Sequence, residues 1–240
     1  MVTESAPRTM RARARAELTE QIKEAARRQL AETGSAGLSL RAVARELGMV
    51  SSAVYRYFPS RDELLTALIV DAYTAIGGHA ARAEAAVRRS DPAGRWLAVC
   101  RGTRDWAIGH PYEYALIFGG PVPGYRAPAD TVDPATRIPL LLLTILTDAA
   151  AASRIAEPAT TAGAARVAVP RALHPDLRRL REQAAPGLTD RQLARAVLAW
   201  SQLIGLISFE LFGQLHNVIT DYAAHFDYQM RSVGRELGLP

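Results

Sequence analysis

The chain has 240 residues, with 29 basic and 24 acidic side chains and a formal net charge of +5. Because 49% of the residues are apolar and 22% are charged, the chain can form a hydrophobic core, and global disorder is excluded. A single cysteine, Cys100, excludes a disulfide framework and a four-cysteine zinc site. No apolar run follows Met1, and the longest run, 138–146, is too short to cross a bilayer, so we expect a cytoplasmic protein without membrane contact.

The positive charge is concentrated near the N-terminus. Residues 1–61 hold eleven basic and six acidic side chains, whereas residues 62–240 hold eighteen of each. Moving the boundary to include Asp62 and Glu63 lowers the excess in the first segment to +3. An uneven charge of this kind indicates an anionic partner for the N-terminal region.

Apolar residues recur at helical spacing along most of the chain and no stretch alternates as a strand does, so the sequence predicts an all-α fold. Residues 1–15 are rich in arginine, and we expect a flexible basic tail there. A first helix is expected over 16–33, where Gly34 ends it. A short helix capped by Ser39 and another over 50–57 should follow.

The rest of the chain is expected to be helical with two irregular segments. Ser60 caps a long helix, and a break at His110 precedes a proline that starts the next one. Proline- and glycine-rich composition indicates loops over 119–133 and in the first half of 154–187. The later helices are expected over 60–86, 92–109, 112–118, 134–153, 176–182, 189–215 and 221–237.

The segment LSLRAVARELGMVSSAVYRYFPSRDELL, residues 38–65, has the pattern of a helix-turn-helix. Such a motif needs a small residue where the helices cross, a glycine in the turn and apolar residues that hold the helices together. Ala44 and Gly48 stand at the first two positions. The apolar residues predicted to hold the helices together are Val43, Leu47, Met49, Val54 and Phe58. The second helix would then project polar residues towards a DNA major groove.

This motif resembles the N-terminal domain of the tetracycline-repressor (TetR) family of bacterial regulators. The resemblance is densest in VYRYF, residues 54–58, followed by SRDELL, residues 60–65. Val54 and Arg61 stand where leucine and lysine are commoner in the family. The resemblance implies an N-terminal three-helix DNA-binding domain and a larger helical domain that binds a ligand and dimerises.

The resemblance also implies how the chain is divided and what it binds. It places the helix-turn-helix domain at 16–60 and the ligand-binding and dimerisation domain at 61–240. The implied partners are double-stranded operator DNA, a second copy of the chain, and a small-molecule effector that releases the palindromic operator. Repression is the family's usual mode.

Eight residues are candidates for contact with DNA. By matched position and by physical character they are Ser39, Arg41, Ser51, Ser52, Tyr55, Arg56, Tyr57 and Arg61. Arg41 can reach a base edge, where arginine bonds guanine through two hydrogen bonds. Tyr55 and Tyr57 match positions that contact the phosphate backbone, and Arg61, at the start of the next helix, is expected to anchor that backbone. Contact with DNA is not the only explanation for two of them. Tyr57 could be partly buried in the core, and Arg56 could simply be exposed to solvent.

Four arginines precede the motif, at Arg8, Arg11, Arg13 and Arg15. In a flexible tail they could enter the minor groove next to the operator, as basic arms do. A disordered tail that only aids solubility is the alternative.

The second half of the chain resembles the Trp/His/Gly type of TetR C-terminal domain. The resemblance rests on Trp106, the pair His110-Pro111, Tyr114 and Phe118. It predicts an apolar effector pocket, although each residue could equally belong to the core. The predicted pocket residues are Cys100, Trp106, His110, Tyr114, Phe118, Trp200 and Ile204.

Two C-terminal helices are candidates for a dimer interface. The helix over 189–215 carries apolar residues on one face and small residues on another, which would let a partner helix approach closely. The predicted interface residues are Ser201, Gly205, Ser208, Phe212, Phe226 and Met230.

Other classes of function find little support. The five histidines show no ligand spacing, so no metal site is predicted, and no cofactor motif appears. The chain lacks a phosphate-binding glycine loop and a nucleophile elbow, so we expect no enzyme activity. The alternative is a helical ligand-binding protein or enzyme whose helix-turn-helix does not bind DNA.

Overall fold

A computed structural model describes residues 6–155 and 167–240. In these two ranges the chain forms ten α-helices and no strand, which confirms the predicted all-α fold. Short 3-10 turns precede the second, seventh and eighth helices. The helices are α1 (Ala6–Thr33), α2 (Leu40–Glu46), α3 (Ser51–Tyr55), α4 (Arg61–Ala85), α5 (Pro92–Gly109), α6 (Pro111–Phe118), α7 (Val132–Ala151), α8 (His174–Ala184), α9 (Asp190–Leu211) and α10 (Tyr222–Glu236).

Local capping explains where several helices begin. The Ser39 hydroxyl accepts a hydrogen bond from the amide of Ala42, and the Ser60 hydroxyl accepts one from the amide of Glu63. Thr189 and Gln192 form a reciprocal capping box at the start of α9. The predicted caps at Ser39 and Ser60 are confirmed.

The N-terminal segment differs from the prediction. We expected a flexible tail over residues 1–15, but α1 begins at Ala6, ten residues before the expected start. Alanine and arginine are strong helix formers, and Pro7 is tolerated in a first turn, so nothing interrupts the helix before residue 16. Residues 1–5 of the predicted tail, and 156–166 of the predicted loop, lie outside the described residues.

The chain divides by its internal contacts into two units. Unit 1 comprises the chain up to Ala72 together with His110–Val132, and unit 2 comprises Tyr73–Gly109 and Asp133–Pro240. This division differs from the predicted boundary between residues 60 and 61. The reason lies within unit 1, where α6 packs against α1 and the hydroxyls of Thr66 and Tyr125 lie 2.9 Å apart.

In unit 2, helices α5, α9 and α10 pack on one another. The indole Nε1 of Trp96 donates a hydrogen bond of 2.8 Å to the carbonyl of Met230. The guanidinium of Arg104 lies 5.4 Å from the centre of the Phe226 ring. Phe226 and Met230 are each 1% exposed. The prediction that these two side chains form a dimer interface is therefore wrong, because they are already used inside the chain.

A buried arginine connects three helices of unit 2. Arg95, in α5, is 3% exposed and pairs with Glu84 of α4 at 2.5 Å and with Asp148 of α7 at 2.9 Å. Burial raises the pKa of Asp148, but hydrogen bonds from Arg95 and Arg89 outweigh that effect and hold the pKa below its usual value. The two carboxylates supply the neutralisation that a buried guanidinium needs.

Three helical stretches have the length and mean hydropathy to cross a membrane, judged by those two properties alone. They are Arg61–Ala85, Ala129–Ala151 and Asp190–Leu211. In each stretch polar residues stand between the apolar ones, so none of the three is an uninterrupted apolar run. In their most apolar windows, 44%, 39% and 28% of the residues, respectively, are buried within the chain.

The substitution Asp148→Asn should lower the free energy of unfolding at pH 7 by about 1–2 kcal/mol, because buried Arg95 loses one of its two carboxylates. The pKa of Asp148 is lowered in the folded state, so its stabilisation is complete above the unfolded value of 3.8 and is lost as the pH falls below it. Urea unfolding at pH 7 and at pH 3 should show a smaller difference between variant and wild type at pH 3.

The exposed Asp105 of α5 offers the control, and Asp105→Asn should change stability much less at pH 7. An equal loss for both variants would contradict a special role for the pair of Asp148 with Arg95.

Candidate DNA-binding interface

The turn between α2 and α3 is closed by its backbone. Gly48 has φ +65°, the left-handed conformation that a residue with a side chain adopts at a cost. Its amide donates to the carbonyl of Arg45 at 3.1 Å, and the amide of Met49 donates to the carbonyl of Ala44 at 2.8 Å. This pair of bonds is a Schellman motif, which ends α2 and redirects the chain into α3.

Apolar side chains hold α2 and α3 together. Val43 and Val54 are fully buried, Ala44 is 1% exposed and Phe58 is 7% exposed. Leu47, also predicted in this set, is half-buried. The small side chain of Ala44 lets the two helices approach closely, so the packing fixes the position of α3.

The polar residues of α3 and of the two positions that follow it are largely accessible. Ser52, Tyr55 and Arg56 are exposed, whereas Ser51 and Tyr57 are half-buried. Tyr55 and Arg56 follow Ser52 by three and four residues, so each of them lies beside Ser52 on the helix surface. These side chains present a hydroxyl, a phenol and a guanidinium to solvent.

The residues that precede and follow the helix-turn-helix turn also differ in their exposure to solvent. Arg41, in the first turn of α2, is exposed, and Ser39 is half-buried as its cap. Val50, which sequence reasoning did not select, is 70% exposed directly before α3. Val50 occupies the N-cap position of α3, and valine has no side-chain oxygen that could cap the helix. An apolar residue at a position where a polar cap is usual was the only signal in the sequence that Val50 is exposed.

Ion pairs separate the basic residues of unit 1 into two groups. Lys23 and Arg27 of α1 both pair with Asp71 of α4, and Arg28 pairs with Glu46 at the end of α2. Burial lowers the pKa of Lys23, but its hydrogen bonds to Asp71 and Glu20 raise the pKa above the usual value. These cations are neutralised inside the domain.

The second group lies on α2 and directly after α3. Arg41, Arg45 and Arg56 are exposed and form no ion pair with any residue that the structure describes. The available positive charge of the motif therefore lies on or next to the same two helices as the accessible polar side chains. An interface with these properties suits a polyanion.

Two predicted phosphate-contacting residues are already engaged within unit 1. The guanidinium of Arg15, in α1, lies 5.0 Å from the centre of the Tyr57 ring. Arg61 donates from Nη2 to the carbonyl of Ser35 at 2.6 Å and from Nε to the carbonyl of Leu38 at 3.2 Å. Sequence reasoning did not find these contacts, since the partners are up to 42 residues away.

The predicted pocket residues fall in both units. In unit 2, Cys100 is fully buried, Trp106 is 5% exposed, and Trp200 and Ile204 are half-buried. Burial raises the pKa of the Cys100 thiol well above its usual value, which keeps the thiol protonated and unreactive.

The other three pocket candidates belong to unit 1. The ring of Tyr114, which is fully buried, lies 5.0 Å from the ring of Phe118. His110 is exposed and stands at the N-cap position of α6. Among the described residues no cluster of three or more histidine, cysteine or acidic side chains could hold a metal ion.

The predicted interface residues of α9 lie on its accessible side. Ser201 and Phe212 are exposed, and Gly205 and Ser208 are half-buried. Exposure adds three apolar residues that sequence reasoning missed, namely Val197, Leu198 and Phe209, at 45–54% exposed. Apart from its own turn of helix, a Cβ atom built on Gly205 would meet no atom of the described residues within 4 Å.

Comparison with known proteins agrees with this geometry. Residues 22–68 match the family model described as "Bacterial regulatory proteins, tetR family", and residues 96–233 match "Tetracyclin repressor-like, C-terminal domain". The chain is 41% identical over 227 residues to the HTH-type transcriptional regulators Mb1846 of Mycobacterium bovis and Rv1816 of Mycobacterium tuberculosis, with 91% of each chain covered. The crystal structure of the regulatory protein SCO4313 matches with a TM-score of 0.72 at 35% identity, over 92% of this chain and 97% of that one.

A helix-turn-helix on an all-α scaffold, with arginines on or next to both of its helices that pair with no carboxylate among the described residues, is typical of DNA-binding transcriptional regulators. The two family models together match most of the chain, and the similarity to the mycobacterial regulators extends over 91% of it. The chain belongs to the TetR family.

The substitution Gly48→Ala should destabilise the protein by roughly 1–2 kcal/mol, because alanine must adopt the left-handed conformation of this turn. The space around Gly48 is open, so no steric clash contributes to the loss. Chemical denaturation followed by circular dichroism measures it.

Gly120→Ala is the matched control, since Gly120 also has open space around it but no positive φ. This variant should be neutral or slightly stabilising. A loss at Gly48 no larger than that at Gly120 would contradict the conformational explanation.

Proposed function

We propose that the protein is a ligand-responsive repressor that binds a palindromic operator as a homodimer and is released by a small, mainly apolar effector. The observation that carries the DNA-binding part is the exposure of Arg41, Tyr55 and Arg56 on the helix-turn-helix, with both arginines outside any ion pair among the described residues. Arg41 is assigned to a guanine edge, and the side chains of α3 are assigned to bases and phosphates. Membership of a regulator family is consistent with a soluble protein acting in the cytoplasm on DNA, and no enzyme activity is assigned.

The homodimer is assigned to the accessible side of α9. Val197, Leu198, Phe209 and Phe212 expose between 43% and 54% of their surface there. Exposed apolar residues in one stripe are costly in water and are typical of a surface that a partner covers. Gly205, in the same helix, leaves room for a second helix to approach closely.

The effector is assigned to unit 2. Helices α5 and α9 pack on each other, and they carry Cys100, Trp106, Trp200 and Ile204. A site lined by such side chains would favour an apolar molecule with few polar groups. Such a molecule should release the operator from the wild-type protein, and a mobility-shift assay would measure this release.

The DNA-binding proposal is tested by footprinting the full chain on the DNA upstream of its own coding sequence. We expect a protected palindrome whose half-sites lie about 10 base pairs apart or a multiple of that spacing. Arg41→Met should reduce the preference for the operator over unrelated DNA by about 1–3 kcal/mol, measured by mobility shift at fixed salt.

Arg28→Met provides the control because it removes the same charge from a residue that pairs with Glu46. This variant should retain the operator preference. If neither the wild type nor the control protects any DNA, the chain does not act through its helix-turn-helix, and the alternative of a helical ligand-binding protein gains support.

The dimer proposal predicts that Gly205→Leu produces monomers. Because a Cβ atom at this position meets nothing within the chain, the variant should keep the stability of the monomer and lose only the contact with a partner. Light scattering after gel filtration would report the mass, and operator affinity should fall with it. Gly120→Leu should remain dimeric, and a dimeric Gly205→Leu with unchanged affinity would refute the assignment.

A further inference from the structure

The segment between α1 and α2 is fixed from two directions. It contains Gly34, with φ +69°, and a 3-10 turn over Ser35–Gly37, and it ends at Ser39, the cap of α2. The amide of Ser39 donates a 3.2 Å hydrogen bond to the side-chain oxygen of Gln29, which is only 7% exposed. A buried glutamine of α1 thus holds one side of the segment.

The other side is held by the first residue of α4. Arg61 donates to the carbonyl of Ser35 at 2.6 Å and to the carbonyl of Leu38 at 3.2 Å, and it pairs with Asp62 at 3.4 Å. Ser35 and Leu38 are 26 and 23 residues away in sequence. Both carbonyls precede α2, so Arg61 connects the start of α4 to the point where α2 begins.

The chemistry of arginine suits this connection. A guanidinium presents five N–H donors in a rigid plane, and two of these donors can reach two separate carbonyls at once. A lysine carries a single ammonium on a flexible stem and cannot reproduce that fixed pair of bonds. Arginine and lysine at position 61 therefore have different physical consequences.

We infer that Arg61 is a positioning residue that sets where α2 begins relative to α4, and that this positioning, rather than a phosphate contact, is its contribution to operator binding. The inference rests on the proposed DNA-binding function. Arg61 acts through Leu38 and Ser39, which fix the start of α2. The first turn of α2 carries Arg41, the residue assigned to a base edge. An error in the start of α2 therefore displaces the reading side chain.

A phosphate contact and a positioning role make different predictions about salt. Each phosphate neutralised by a protein cation contributes about 0.9 to the slope of log affinity against log salt concentration. Removal of a phosphate contact therefore lowers that slope by about one. Removal of a positioning contact lowers affinity without changing the number of ions released.

The experiment compares Arg61→Met and Arg61→Lys with the wild-type full chain. Operator affinity is measured by fluorescence anisotropy from 50 to 200 mM salt, roughly the range over which such slopes are resolved. We expect both variants to lose about tenfold in affinity with an unchanged slope, equivalent to about 1.4 kcal/mol. Retention of the charge in Arg61→Lys should not restore binding.

A second measurement uses the free protein and does not depend on DNA. Amide hydrogen exchange at Ser39, Ala42 and Val43 reports the hydrogen bonds at the start of α2. In both variants these amides should exchange roughly tenfold faster, since the segment before them loses its anchor. The amides of Tyr114, in unit 1, and Leu237, in unit 2, should be unaffected, which would show that both units of the variants remain folded.

The outcomes separate the two roles. Wild-type affinity in Arg61→Lys, together with a slope reduced by about one in Arg61→Met, would show a phosphate contact and overturn the inference. Unchanged exchange at Ser39, Ala42 and Val43 would also overturn it. If the wild type binds no operator, the proposed function fails by itself, and the exchange measurement still decides whether Arg61 positions α2.

Discussion

The packing of α3 against α2 is the constraint on which the proposed DNA interface depends. Five residues are far too few for a helix to persist alone in water, because so short a segment barely recovers the cost of its first turn. The burial of Val54 against the surface that includes Val43 and Ala44 supplies the missing stabilisation. The Gly48 turn then directs α3, so a few apolar contacts determine where every polar residue of that helix points.

Ion pairing decides which of the many arginines are available to a partner. A chain with 28 arginines and one lysine presents positive charge almost everywhere in its sequence. In the folded molecule Arg27 and Arg28 are matched to carboxylates, and Arg95 is buried between two of them. What remains on α2 and directly after α3 is unmatched charge, which is the form that attracts a polyanion over a distance. The Arg61 guanidinium shows a third use, as a donor to backbone carbonyls.

The C-terminal helices show how one apolar stripe can serve inside the molecule and another outside it. Phe226 and Met230 of α10 are enclosed by contacts with α5, including the Trp96 indole that bonds the Met230 carbonyl. A Cβ atom built on Gly234 would lie 3.1 Å from Cδ1 of the same indole, so the close approach of α10 to α5 leaves little room for a side chain. The accessible apolar residues Val197, Leu198 and Phe209 of α9 are not enclosed in this way, and the proposed dimer rests on them.

The sequence by itself determined the helical class, the helix-turn-helix and most helix ends, because those signals act within about four residues. Ser39 and Ser60 determine where their helices begin, and Gly48 determines where α2 ends. The recurrence of apolar residues at helical spacing indicates each helix. Tertiary structure alone decided which side of α10 is buried, what Arg61 and Tyr57 contact, and which arginines are neutralised. Each of those depends on residues distant in sequence, and a helix that is apolar on more than one face gives no indication of which face meets its own chain.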